Sequence, residues 1–204
     1  MNENANKQSQ MLSDAQSILS NFVDAIKSIK LDSSFHTVVY NILNCDGKIV
    51  CCGMGKNGIA MKKFAATLCS LGFPACFLHP GEAQHGDLGV LRENDILFIS
   101  STSGKTREIY ELIDLAKNSV KGLYIVGLTS HPDSPIRDKV DVILDMGVIK
   151  EAGHLSLAPS TSILVILAIT DALALVAAKE KGLTKEQYGV YHHGGYLGLK
   201  TREK

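Results

Sequence analysis

Five short apolar runs organise this chain, at residues 48–52, 75–78, 95–99, 122–128 and 140–144. Each is a nearly continuous hydrophobic stretch rather than an alternation, the pattern of a strand buried on both faces. Between most of them the apolar residues move to helical spacing. Strands separated by helices pair in parallel, so the expected architecture is a three-layer α/β sandwich. A five-stranded parallel sheet flanked by helices would form the body, preceded by an N-terminal helical arm. Ligands of such sheets bind at the carboxyl ends of the strands.

The arm is read from residues 11–30, where Leu12, Ile18, Leu19, Phe22, Val23, Ile26 and Ile29 recur at helical spacing. Asp32-Ser33-Ser34 then caps a second helix over residues 35–43. Three units are expected: the arm at residues 1–44, the α/β domain at 45–183 and a tail at 184–204. The tail around Gly194-Gly195 reads as too glycine-rich for a helix and too aromatic for a disordered end, so it should dock on a site. The most hydrophobic segment, residues 162–178, is interrupted by Thr170 and Asp171, which favours a buried core helix over a membrane span.

Charge narrows the function. Lys plus Arg and Asp plus Glu both number 21, so no nucleic acid or anionic membrane is an expected partner, and any phosphate site must be local. The polar N-terminus carries no secretory pattern, and a cytoplasmic protein is expected. Cys45, Cys51, Cys52, Cys69 and Cys76 read as reduced core residues. Cys51 and Cys52 would point to opposite faces of one strand, which argues against a structural metal.

Three turns at strand ends carry the chemistry. After residues 95–99, small hydroxyl residues surround Gly104 and a helix follows from Glu108. The first turn of a helix leaves amide protons unpaired at the positive end of its dipole, and Ser101, Ser103 and Thr106 add hydroxyls, forming a cradle for a phosphate monoester. After the first strand, Gly53-Met54-Gly55-Lys56-Asn57-Gly58 matches G-x-G-x-x-G. A dinucleotide site would need an acid at the end of the second strand, where His79-Pro80 stands instead. The glycines then serve backbone approach to a smaller ligand, with Lys56 reaching the same crevice. The third turn, residues 79–89, holds His79, Glu82, His85 and Asp87, more titratable groups than a connector needs.

These motifs together resemble a known family. The Ser-x-Ser-Gly-x-Thr-x-Glu pattern from Ser101 to Glu108 resembles the sugar isomerase (SIS) domain, a flavodoxin-like or Rossmann-like fold. Gly53-Met54-Gly55-Lys56, His79-Pro80-Gly81-Glu82-Ala83, His85-Gly86-Asp87-Leu88-Gly89, Lys150-Glu151-Ala152 and His192-x-Gly194-Gly195 resemble the D-arabinose 5-phosphate isomerases. The resemblance implies aldose–ketose isomerisation between D-ribulose 5-phosphate and D-arabinose 5-phosphate, supplying the Kdo of lipopolysaccharide. It also implies a homotetramer with sites at subunit interfaces. Many members carry CBS domains after the tail motif, and this chain resembles the short form. A downstream Kdo-type inhibitor would then have to act at the active site. The sequence departs from the pattern at Gly153-His154, Lys105 and His193.

Moving a proton between C1 and C2 needs a base, a stabiliser for the developing oxyanion and a phosphate anchor. The resemblance implies catalytic roles for Lys56, Glu108, Glu151 and His192. Glu108 is expected as the base, one turn past the cradle, and Lys56 as the oxyanion partner. His192, contributed by a neighbouring subunit, and His85 are expected to handle ring opening or hydroxyl positioning. Substrate contacts are expected from Gly55, His85, Ser101, Ser103, Thr106, Ser160 and His193. No cofactor is needed, although His79 with His85 could trap an inhibitory zinc ion. Two rivals stand: an SIS isomerase of another sugar phosphate, and a non-catalytic sugar-phosphate sensor.

Overall fold

The computed structural model describes residues 2–201; Met1 and residues 202–204, the outermost ends of the arm and the tail, lie outside the described residues. Strands β1 (Ile49–Gly53), β2 (Ala75–Leu78), β3 (Ile96–Ser100), β4 (Tyr124–Thr129) and β5 (Val142–Asp145) pair in parallel, in the order β2-β1-β3-β4-β5. The expected sheet is present, with strand limits within two residues of the apolar runs.

Helices cover both faces. On one lie α2 (Ser33–Leu43), α3 (Gly55–Ser70) and α6 (Thr161–Glu180), whose Val38, Phe64 and Ile166 join Cys51 and Phe98 in one core; α1 (Asn2–Lys27) packs along α6. On the other, α5 (Arg107–Ser119) lays Ile109, Leu112, Ile113 and Ala116 against Cys52, Leu97 and Ile99, with the short α4 (Pro80–Ala83) at its side. Cys51 and Cys52 thus face opposite cores. Because α3 carries β1 to β2 on one face while α5 carries β3 to β4 on the other, the chain turns away in two directions between β1 and β3. The carboxyl ends of these two strands therefore open a crevice, the place where such sheets hold ligands.

Helix α6 runs parallel to α3. Lys63 pairs with Asp171 midway along them, and at their far ends Lys181 Nζ donates to the Gly72 carbonyl at 2.9 Å. Their first turns consequently stand side by side at the carboxyl edge of the sheet. Among the described residues α6 alone is long and apolar enough to cross a membrane, and its apolar side is packed in the core as expected. Two glycines of the β1 turn let α3 start close against the end of β1, since a Cβ on Gly58 would lie 2.5 Å from the Gly53 carbonyl oxygen.

Two expectations fail. The tail is helical, as α7 (Lys185–Tyr191) and α8 (Gly195–Lys200). Thr184 and Gln187 form a capping box that starts α7 despite its glycine. Gly189 and Gly198 sit where a side chain would strike Thr201 and the His192 carbonyl, so here glycine permits close helix packing instead of preventing helix formation. The second failure is Cys69, which is exposed on the last turn of α3 rather than in a core, its Sγ 3.2 Å from the Ala75 carbonyl. Burial pushes the Cys51 and Cys52 thiols far above their ordinary pKa, so both stay protonated at neutral pH. Brief iodoacetamide treatment at pH 7.5 should label Cys69 and spare Cys51 and Cys52 until the protein is unfolded, as read by peptide mass spectrometry.

Candidate active site

β1 and β3 end level, Gly53 opposite Ser100, so the turns that follow them open next to each other. Gly55 takes φ +59° with open space where a side chain would stand, and this left-handed step starts α3 with Lys56 and Asn57 in its first turn. After β3 the chain makes the hydroxyl turn and enters α5 behind Thr106. The two turns are tied together: Ser100 Oγ and Thr102 Oγ1 both donate to Asn57 Oδ1, at 2.9 and 3.2 Å. Sequence reasoning passed over Asn57, because nothing in its spacing distinguishes it from a polar residue on a helix surface.

The hydroxyl turn is braced from several sides. Ser101 is 2% exposed and its Oγ lies 2.9 Å from Thr106 Oγ1. Two hydroxyls sharing one hydrogen bond leave one O–H proton to donate elsewhere. Ser103 Oγ accepts from the Lys105 amide at 3.2 Å. From the end of β4, Ser130 N, Ser130 Oγ and Thr129 Oγ1 all donate to the Thr102 carbonyl, at 3.0, 2.9 and 3.3 Å. Tyr110 OH donates to the Gly104 carbonyl at 2.7 Å, and burial raises that phenol's pKa, which keeps it a donor. Gly104, at φ +60°, packs on Ser134, and any side chain there would run into Ser134 Oγ.

Glu108 is the second residue of α5, half-buried. It lies in the first turn of the helix expected to form the cradle, nearer than the one turn expected. The histidine turn is fastened to the same helix, since Gln84 donates to Glu111 at 2.7 Å and Arg107 pairs with Glu111 at 2.6 Å. Arg107, and then Gln84, hold the Glu111 carboxyl below its ordinary pKa, so this tie stays charged into acidic pH. His85 is exposed between α4 and a 3-10 turn at Asp87–Val90. His79 precedes α4, its Nδ1 buried without a partner and its ring against Gly81. No group of three or more His, Cys, Asp or Glu among the described residues is arranged to hold a metal ion.

Glu151 is held at the start of α6. Its Oε2 accepts from Ser160 N at 2.9 Å and from Ser162 N at 3.3 Å, while Thr161 Oγ1 accepts from Ala152 N at 3.1 Å. The carboxylate therefore caps α6 in place of Ser160, whose side chain makes no cap bond, and it stands beside the first turn of α3 that carries Lys56. It also lines a cleft of about 410 Å³ walled by Asn21, Asp24 and Ser28 of α1. Gly153, where the family pattern departs, adopts φ +85° and closes a turn with Ser156.

The tail residues lie elsewhere. The Tyr191 ring packs on Gly72, at the amino edge of the sheet, while the crevice is at its carboxyl edge. From Gly72 along β2 to His79 the chain advances roughly 20 Å at the usual rise of about 3.3 Å per residue. His192 follows Tyr191, and exposed His193 comes next, so neither meets Lys56 or Glu108 of its own chain. The His192 ring stacks on Tyr188, centroids 3.9 Å apart, with Nδ1 3.0 Å from the Tyr188 carbonyl. A carbonyl only accepts, so Nδ1 is the donor in this bond, and Nε2 is the ring nitrogen that the bond leaves unused.

The SIS domain model matches residues 42–176. The chain belongs to the SIS domain family. The SIS relatives include arabinose 5-phosphate isomerase KdsD of Pseudomonas aeruginosa, 40% identical over 177 residues that cover 86% of this chain and 54% of that protein. The chain spans about half the length of the curated relatives it matches. Among solved structures, a candidate phosphosugar isomerase of capsule formation from Bacteroides fragilis superposes with a TM-score of 0.88 at 42% identity, covering 91% of this chain and 99% of that one. An Escherichia coli CFT073 protein in complex with A5P superposes with a TM-score of 0.86 at 33% identity, over 94% and 100% of the two chains.

Within this SIS domain the two charged candidates differ in what they support. Lys56 is exposed and has no partner among the described residues, whereas Glu151 caps α6. Urea titrations should show Lys56→Ala within about 0.5 kcal/mol of the parent and Glu151→Ala lower by about 1 kcal/mol or more.

Proposed function

We propose that this SIS protein is a D-arabinose 5-phosphate isomerase, interconverting D-ribulose 5-phosphate and D-arabinose 5-phosphate through a cis-enediol. The observation that supports the reading is the tie at Asn57, which joins the glycine turn that carries Lys56 to the hydroxyl turn that leads into α5. Relatives named arabinose 5-phosphate isomerase, and a similar chain in complex with A5P, support the same substrate.

The phosphate rests on the first turn of α5, where unpaired amides, Ser103, and the hydroxyl pair Ser101 and Thr106 receive it. Glu108 then removes a proton from C1 of the ketose. The C–H electron pair forms the C1=C2 bond while the C2 carbonyl becomes an oxyanion beside Lys56. Transfer of the C1 hydroxyl proton to the C2 oxygen, and return of the abstracted proton from Glu108 to C2, give the aldose. No electrons leave the sugar, so no redox cofactor is called for, and the proton transfer as written needs no metal. Glu151 orders the neighbouring helix turn and offers a second carboxylate, and Gly55, His85 and Ser160 line the approach.

His192 and His193 belong, in this reading, to the site of a neighbouring copy, because their own crevice lies at the opposite edge of the sheet. Exposed Leu12, Leu19, Val23 and Ile26 on α1 offer an apolar seam for such an assembly, taken here as a homotetramer. The division into arm, SIS domain and tail at residues 44 and 183 follows the same logic. A cytoplasmic enzyme supplying Kdo synthesis, with a Kdo-type product competing at the site, completes the proposal.

Proton NMR of the protein with D-ribulose 5-phosphate in D2O should show D-arabinose 5-phosphate carrying deuterium at C2. Glu108→Ala and Lys56→Ala should lower kcat by at least 100-fold, and Ser103→Ala should mainly raise KM. Saturable sugar-phosphate binding without turnover would replace the isomerase by a sensor. Mixing inactive His192→Ala with inactive Lys56→Ala subunits through mild denaturation and refolding should regain activity if the site is shared; no recovery would place His192 outside it.

A further inference from the structure

We infer that Asn57 is a substrate-binding residue of the crevice, its side-chain amide N–H donating to an oxygen of the sugar phosphate. The amide is oriented by its other end. Ser100 Oγ and Thr102 Oγ1, both from the end of β3, converge on Oδ1 at 2.9 and 3.2 Å. Because the carboxamide is planar, two donors on the oxygen fix the nitrogen on the opposite side. No protein acceptor among the described residues takes the protons of Nδ2, and this nitrogen is not among the buried unpartnered atoms, which are His79 Nδ1, Ser134 Oγ and Ser162 Oγ. Nδ2 therefore opens on solvent, with two protons to donate.

The place of that donor is set by the fold. Asn57 stands in the first turn of α3, next to Lys56, at the point where the chain diverges between β1 and β3. The hydroxyl turn that anchors the phosphate begins at the residues that hold Oδ1. A donor midway between the anchor and Lys56 meets the carbon chain between the phosphate and the reacting carbons, so Asn57 reads a sugar hydroxyl or the oxyanion rather than the phosphate alone. The tie also means that substrate binding and loop position are coupled through one rigid amide: moving the hydroxyl turn turns the donor.

The inference rests on the isomerase reading, and Asn57→Asp separates the two. This change keeps an oxygen acceptor for Ser100 and Thr102 and replaces the two N–H donors by a negative oxygen facing an anionic ligand. The parent and Asn57→Asp would be compared by thermal unfolding with and without D-arabinose 5-phosphate, by thermal unfolding with inorganic phosphate, and by steady-state kinetics. The expected result is a melting temperature within 2 °C of the parent without ligand, with the thermal shift by the sugar phosphate lost and kcat/KM down at least 100-fold. Asn57→Gln, which moves the amide by one methylene, should not restore either. Wild-type thermal shift and KM in a normally folded Asn57→Asp protein would overturn the inference and leave Asn57 as a tie between loops. A parent that binds the sugar phosphate without isomerising it would overturn the isomerase reading alone, since the thermal shift still tests Asn57.

Discussion

The parallel pairing of β1 with β3, Gly53 level with Ser100, is the constraint on which the rest of the site depends. It makes two strands end together while their following helices leave on opposite faces of the sheet. Two helix amino-termini, each with unpaired amides, then open onto one crevice without either helix having to bend. Had the register slipped by a residue, alternate side chains would have exchanged faces, and Cys51 and Cys52 would have exchanged cores. The register is enforced by burial on both sides, because both strands are buried along their whole length.

A third helix terminus is recruited by packing. α6 follows β5 at the far edge of the sheet, and a 15-residue return brings its first turn back beside α3. Its last turns are held by Lys181 on Gly72 and its middle by Lys63 on Asp171, so the direction of α6 is determined over its full length. Glu151 then caps the turn that this packing delivers. The same carboxylate is a structural element and a candidate for chemistry, which is why its removal should be felt in stability while removal of Lys56 should not.

Buried polar atoms without partners are costly, and folded proteins keep few of them. Those recorded here, His79 Nδ1, Ser134 Oγ and Ser162 Oγ, all lie beyond the carboxyl ends of strands, against the histidine turn, the hydroxyl turn and the capped end of α6. The amino edge of the sheet, by contrast, satisfies its buried carboxylate completely: Asp95 accepts from Lys48 N, Lys48 Nζ and Arg92 N, at 2.9, 2.6 and 2.8 Å. One end of the domain is arranged for stability and the other tolerates unsatisfied groups.

Much of this was legible from the chain itself. Continuous apolar runs dictate strands buried on both faces, and a change from continuous to helical spacing dictates the alternation, so the sheet and its crossovers follow from local pattern. The hydroxyl turn, the glycine turn and the histidine turn could be placed at strand ends for the same reason. Strand order, and with it the pairing of Gly53 with Ser100, could not be read, since it depends on which hydrophobic faces meet. Asn57 stayed invisible because its role exists only across the 43 residues that separate it from Ser100. The tail was misjudged for a related reason: glycine weakens an isolated helix, but Gly189 and Gly198 are used where Thr201 and the His192 carbonyl come too close for any side chain. Periodicity and turn chemistry are local and are written in the sequence; partners brought together by packing are decided only when the tertiary structure forms.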